Sequence, residues 1–240
     1  MMDKKTVIVT GASRGIGAAI VTALLHRGYN VVANSRRMSA SGFSPSGCLA
    51  LVDGDIGDAA TAEKVTNAAL SNFGSIDHLI NNAGIYAAKP FTEYTVDDLR
   101  GFVSTNIDGF VFVTQLAVKQ MLAQDVGGSV TTITAALADN PISGAPSSIP
   151  MITKGGLNTV TRSLAIEYAK RHIRFNAVAP GVVATPMHND HPQEFLKTLS
   201  PLGTISEPQD IADAVVYLME ARHVTGEVLH VDGGAHAGRW

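Results

Sequence analysis

Val7-Ile8-Val9, followed by Thr10-Gly11-Ala12-Ser13-Arg14-Gly15-Ile16-Gly17, is the stretch on which the fold turns. Three β-branched residues in a row make a short apolar strand, and the glycines after them permit a tight turn. A helix pattern begins at about residue 15, so the turn joins a first strand to a first helix. Such a turn lets backbone approach a pyrophosphate closely, with the charge facing the helix N-terminus. Glycines also serve ordinary strand-to-helix turns. Their position at the first junction of the chain favours dinucleotide binding.

The same alternation continues outward from this junction. Further strands are expected at Val31-Val32, Leu49–Val52, His78-Leu79-Ile80, Val130–Ile133, Phe175–Val178 and Val228–Val231. Helices are expected near 15–27, 59–72, 96–123, 152–170 and 208–220. Nearly continuous apolar strands alternating with helices indicate a parallel sheet covered on both faces, and right-handed crossovers make it doubly wound. The expectation is an α/β Rossmann fold with a parallel seven-stranded sheet, as one domain over residues 1–240. One crossover differs: Ser35–Gly47 reads SRRMSASGFSPSG, rich in Ser and Gly and without helical period. A loop is expected there in place of a helix.

The 240 residues are 45% hydrophobic, enough for one sizeable core. A net charge of −3 gives no electrostatic reason to expect nucleic acid or an anionic membrane as partner. Cys48 is the sole cysteine, so no intramolecular disulfide can form. No secretory signal and no apolar run of bilayer length stand out, which makes a soluble, cytoplasmic protein the expectation.

The spacing T-G-x-x-x-G-x-G at Thr10–Gly17 resembles that of the short-chain dehydrogenase/reductases. Asp55-Ile56, Asn81-Asn82-Ala83-Gly84, Asn106 and Pro180-Gly181-Val182-Val183-Ala184-Thr185 are similar to further segments of that family, in the same order. The resemblance implies a nicotinamide dinucleotide held by Gly11, Ser13, Arg14, Gly15, Ile16 and Gly17. It adds Asp55 and Ile56 at the adenine, then Asn82, Ala83, Gly84 and Lys154, then Pro180, Gly181, Val183 and Thr185. Where NAD-preferring members carry a carboxylate, this chain has Ser35 followed by Arg36 and Arg37. Guanidinium groups attract a 2′-phosphate that a carboxylate would repel, so the expected cofactor is NADP(H).

The resemblance also implies a catalytic Ser, a Tyr, and a Lys four residues after the Tyr. Lys154 matches the Lys, but Pro150 stands at the Tyr position and Ala135 at the Ser position. Asn106 matches the family's active-site Asn, which supports a water relay. Thr134 offers a hydroxyl only if the strand end shifts register. Tyr86 follows Gly84 in the loop bordering the family's substrate cleft, where it either packs at an edge or faces substrate. His188, Asp190 and His191 give no convincing ligand set, and no metal is expected.

A small carbonyl, alcohol or enoyl substrate is implied, as is a homotetramer or homodimer paired through the helices at 96–123 and 152–170. The alternatives are a non-catalytic NADP(H)-binding sensor or scaffold and, third, a lyase or isomerase that uses the nucleotide structurally.

Overall fold

A computed structural model describes residues 4–188 and 192–238. Seven strands, β1 (Thr6–Thr10), β2 (Asn30–Ser35), β3 (Leu49–Asp53), β4 (His78–Asn81), β5 (Gly128–Ile133), β6 (Ile173–Pro180) and β7 (Val228–Val231), form one sheet. Their order is β3-β2-β1-β4-β5-β6-β7, and every pair is parallel. The order reverses direction between β1 and β4, which opens a crevice at the carboxyl ends of those two strands.

Strand pleating distributes the apolar residues of one continuous run between two cores. Val7 and Val9 join a core built on α1 (Gly15–His26) and α7 (Pro208–Glu220), while Ile8 faces the opposite side. That second side carries α2 (Ala59–Phe73), α4 (Gly109–Gln124) and the C-terminal part of α5 (Ser148–Tyr168). Two buried faces explain why the strands read as unbroken hydrophobic runs rather than as alternating ones.

The segment between β2 and β3 has no α-helix, only a 3-10 turn at Met38–Ala40. Met38 is fully buried and plugs the core that a crossover helix would otherwise cover. Asp53, at the end of β3, accepts hydrogen bonds from Ser39 N and Ser39 Oγ, which pins the turn to the sheet.

Two expectations need correction. The helix expected from 152 begins at Ser148, so Pro150 sits inside its first turn. The first four N–H groups of a helix have no intrahelical partner, so a proline there costs no hydrogen bond. The helical stretch Val96–Gln124 is long and apolar enough, by length and composition, to cross a bilayer. It consists of α3 (Val96–Phe102), a π-helical segment (Val103–Asp108) and α4. Scattered residues such as Asp97, Arg100 and Lys119 interrupt every linear run, although the average over the helix stays apolar. In this fold Val113, Ala117 and Met121 of that helix are core residues against the sheet.

His78 at the start of β4 is buried, hydrogen-bonded through Nδ1 to Ser129 Oγ (2.8 Å). Burial brings its pKa down to about 3, so the folded chain holds it neutral. The unfolded chain takes up a proton near pH 6.5, so stability is lost as pH falls from there toward 3. Denaturant titrations from pH 6.5 to 4 should show His78→Gln losing less stability than the unsubstituted protein, by up to about 1.4 kcal/mol per pH unit.

Candidate active site

The glycine turn is locked to the end of β4 by side-chain hydrogen bonds. Asn82 Nδ2 donates to Thr10 O (2.9 Å) and Gly11 O (3.0 Å), and Thr10 Oγ1 accepts from the N–H groups of Asn82 and Ala83. Gly11 has φ +65°, and a Cβ there would lie 2.8 Å from Ala83 Cα. Only glycine meets both demands. Helix α1 then starts at Gly15 with no side-chain cap and no acidic residue in its first turn. Its exposed N–H groups face the crevice as a ready anion site.

That crevice is a cleft of about 990 Å³. Ligand clefts usually measure roughly 300–1,000 Å³, so this one takes a large cofactor with room beside it. Gly11, Ser13, Arg14, Gly15, Ile16 and Gly17 line it, with Ser35, Arg36 and Arg37 at the end of β2. Asp55, Ile56, Asn82, Ala83, Gly84, Lys154, Pro180, Gly181, Val183 and Thr185 complete the sequence-derived set on its walls. Among the described residues Arg14, Arg36 and Arg37 make no ion pair. Asp53, paired in register with Ser35, spends its carboxylate on Ser39, and those hydrogen bonds hold its pKa below the usual value.

Lys154 lies nearly two turns into α5, buried, with Nζ donating to Ile133 O (2.8 Å). A Cβ on Gly84 would sit 2.9 Å from that Nζ, so the missing side chain makes room for the ammonium. Burial lowers the lysine pKa to about 8, and among the described residues no carboxylate pairs with it. Lys154 is a cation held dry.

Asn106 does not line the cleft. Its Oδ1 accepts from Ile85 N (2.9 Å), while Nδ2 donates to Ile85 O (3.2 Å) and Thr153 Oγ1 (3.0 Å). Placed in the π-helical segment, it clamps the loop after β4 to the helix that carries Lys154. Thr134 and Tyr86 do line the cleft, but each hydroxyl is engaged. Thr134 Oγ1 donates to Val178 O (3.2 Å). Ser147 Oγ donates to Ala145 O (2.9 Å), which leaves Tyr86 as donor in its 2.7 Å contact with Ser147 Oγ. Ala135 and Pro150 bring no polar side chain to this end. Asp190 and His191 lie outside the described residues.

Tyr86, Ala136, Leu137, Ile142 and Ala145 line the remaining half, with Met187, Phe195, Leu196 and Leu199 of the segment that includes α6 (Gln193–Lys197). Asp232, Ala235 and His236 also reach this cleft from beyond β7, and no motif reading marked them. The Gly233-Gly234 pair after the last strand is the signal that could have done so.

The chain matches the family model described as "Enoyl-(Acyl carrier protein) reductase" over residues 11–236. It is 32% identical to L-rhamnose 1-dehydrogenase (NAD(P)(+)) of Sphingomonas sp. (strain SKA58), over 98% of each chain. It is 34% identical to carbonyl reductase family member 4 of Xenopus laevis, covering 96% of this chain and 97% of that one. Among solved structures, 3-ketoacyl-(acyl-carrier-protein) reductase from Brucella melitensis, complexed with NADH, superposes with a TM-score of 0.91 at 26% identity. That match covers 98% of this chain and 100% of the other.

The buried Lys154 cation costs stability below pH 8, and the cost fades between pH 8 and 10.5, where only the unfolded lysine stays protonated. Lys154→Met should therefore raise the melting temperature of the cofactor-free protein at pH 7, by about 2–4 °C per kcal/mol regained. Calorimetric scans should show the gain shrinking as pH approaches 10.

Proposed function

Because the chain belongs to the short-chain dehydrogenase/reductase family, we propose that it is an NADP(H)-dependent oxidoreductase acting on a small carbonyl, alcohol or enoyl substrate. The observation that carries this is the cleft itself. All the cofactor residues read from the motifs line one cleft, which Lys154 shares with apolar residues such as Leu137, Ile142 and Leu196. The bound nicotinamide would supply hydride chemistry. The protein would supply the rest. The α1 N-terminus would take the pyrophosphate, and Arg14, Arg36 and Arg37 the 2′-phosphate. Asp55 and Ile56 would hold the adenine end, and Pro180, Gly181, Val183 and Thr185 the nicotinamide end. Lys154 would hold the ribose beside it, and Asn106 keeps the helix of Lys154 in place. One domain, residues 1–240, carries both cofactor and substrate, in a soluble cytoplasmic setting.

By their spacing to Lys154 and to the end of β5, Ala135 and Pro150 stand where the family carries its Ser and Tyr, so the usual phenol does not transfer the proton. The same observation favours a second reading, a non-catalytic NADP(H)-binding sensor or scaffold. NADPH oxidation against a panel of aldoses, aliphatic ketones and 3-ketoacyl thioesters separates the two. The oxidoreductase turns at least one over, and the sensor binds NADPH without oxidising it.

Arg36 and Arg37 set the cofactor preference. Two charge-assisted contacts are worth about 1.5–3 kcal/mol each before screening at an exposed site. The double variant Arg36→Ala with Arg37→Ala should lose about 10- to 100-fold in NADPH affinity and little in NADH affinity, by calorimetry. Equal or tighter NADH binding to the unsubstituted protein would contradict the assignment.

We further propose a homotetramer, or at least a dimer. Leu99 and Val103 around α3, and Ile152 and Ile166 on α5, are large apolar residues left exposed on the helices that the family pairs. A pair of arginines there, Leu99→Arg with Ile166→Arg, should lower the mass found by light scattering. A monomer before substitution would rule the assembly out.

A further inference from the structure

Beyond β7 the chain builds a pair of groups that the motif-based reading does not use. Asp232 is buried, and its carboxylate accepts the N–H groups of Gly234 (3.0 Å) and His236 (2.9 Å). The same carboxylate lies 3.0 and 3.1 Å from Nδ1 of the His236 ring. A carboxylate only accepts, so the ring hydrogen sits on Nδ1 and the bare nitrogen of the neutral ring is Nε2. The side chain of His236 is 39% exposed and lines the cleft, and Nε2 has no partner among the described residues.

The surroundings fix the ring further. His230 stacks on it with centroids 4.1 Å apart and planes 19° from parallel. His230 Nε2 in turn faces Asp139 Oδ2 at 3.7 Å, and Asp139 is held by Asn158 Nδ2 (2.9 Å), one turn beyond Lys154 on α5. The titratable groups around His236 are thus Asp232, His230 and, behind His230, Asp139. Stacked rings do not converge their nitrogens on one point, which disfavours a metal site. Asp232 also backs directly onto the cofactor wall. A Cβ on Gly181 would lie 2.8 Å from Asp232 Cβ, and Gly181 N donates to Val231 O.

We infer that His236, oriented by Asp232, is the proton-transfer residue of this cleft, in the place of the family's phenol. This rests on the oxidoreductase reading. In carbonyl reduction the bound nicotinamide would supply a hydride to the carbonyl carbon, and the C=O π pair would move to oxygen. That oxygen takes the proton of the His236 imidazolium. The products are the alcohol, the oxidised nicotinamide and neutral imidazole, and solvent reprotonates Nε2. Asp232 is a positioning residue that fixes the tautomer and stabilises the imidazolium. Tyr86 and Thr134, whose hydroxyl protons are directed into the protein, play no part in the transfer.

The test compares His236→Gln and His236→Gly with the unsubstituted protein over the same carbonyl panel. His236→Gln should lower kcat by about 100-fold or more. NADPH affinity and KM should stay within about threefold, and added imidazole should restore part of the activity of His236→Gly. A readout without cofactor accompanies this. In long-range proton–nitrogen NMR of histidine-labelled protein at pH 8, the signal missing from His236→Gln should carry its hydrogen on Nδ1. An unchanged kcat, a rise in KM alone, failure of imidazole rescue or an Nε2–H tautomer would overturn the assignment and leave the oxidoreductase reading intact. No NADPH oxidation by the unsubstituted protein with any carbonyl would overturn both.

Discussion

The hydrogen bonds from Asn82 Nδ2 to Thr10 O and Gly11 O are the constraint from which the rest of the architecture follows. The winding of the sheet reverses between β1 and β4, and the two crossovers diverge there to opposite faces. A gap at that place would expose backbone groups of both strand ends, which is costly unless they are paired. Asn82 and Thr10 pair them directly, so the two loops that leave the strands act as one rigid wall. The glycines follow from that closeness, because a side chain at Gly11 would collide with Ala83.

On that wall hang the buried polar groups of the cleft. Lys154 is kept in a dry place opposite Gly84, with Ile133 O as its acceptor. Asn106 spends its whole amide on tying Ile85 and Thr153 together, so the π-helical segment is a brace rather than an irregularity. Burial of the Lys154 ammonium lowers the stability of the folded chain, and the two apolar cores offset it. Position, rather than side-chain reactivity, is what the fold contributes here.

The proposed proton transfer by His236 fits this division of labour. Hydride chemistry belongs to the dinucleotide and depends on where the nicotinamide is held. Proton transfer needs only a group of suitable pKa within reach of the oxygen, and several elements border the pocket. A first helical turn that accepts Pro150 and a β7 turn that presents an Asp–His pair are compatible with the same sheet.

Much of this was legible in the sequence, because it rests on local chemistry. Strand runs and helical periods follow from the repeat of each backbone, and the Ser- and Gly-rich segment after Ser35 announced the missing helix. The nineteen motif-derived cofactor residues from Gly11 to Thr185 share one cleft because glycine turns and strand ends allow few other arrangements. What only the tertiary structure decided depends on neighbours distant in the chain. Asn106 turned inward to brace Ile85, the hydroxyls of Tyr86 and Thr134 were directed into the protein, and α5 began early enough to include Pro150. Above all, His236 is an ordinary residue near the chain's end until β7 sets Asp232 behind Gly181 and the cleft opens beside its ring. Hydrogen-bond direction and burial are properties of the assembled fold, and no spacing along the chain encodes them.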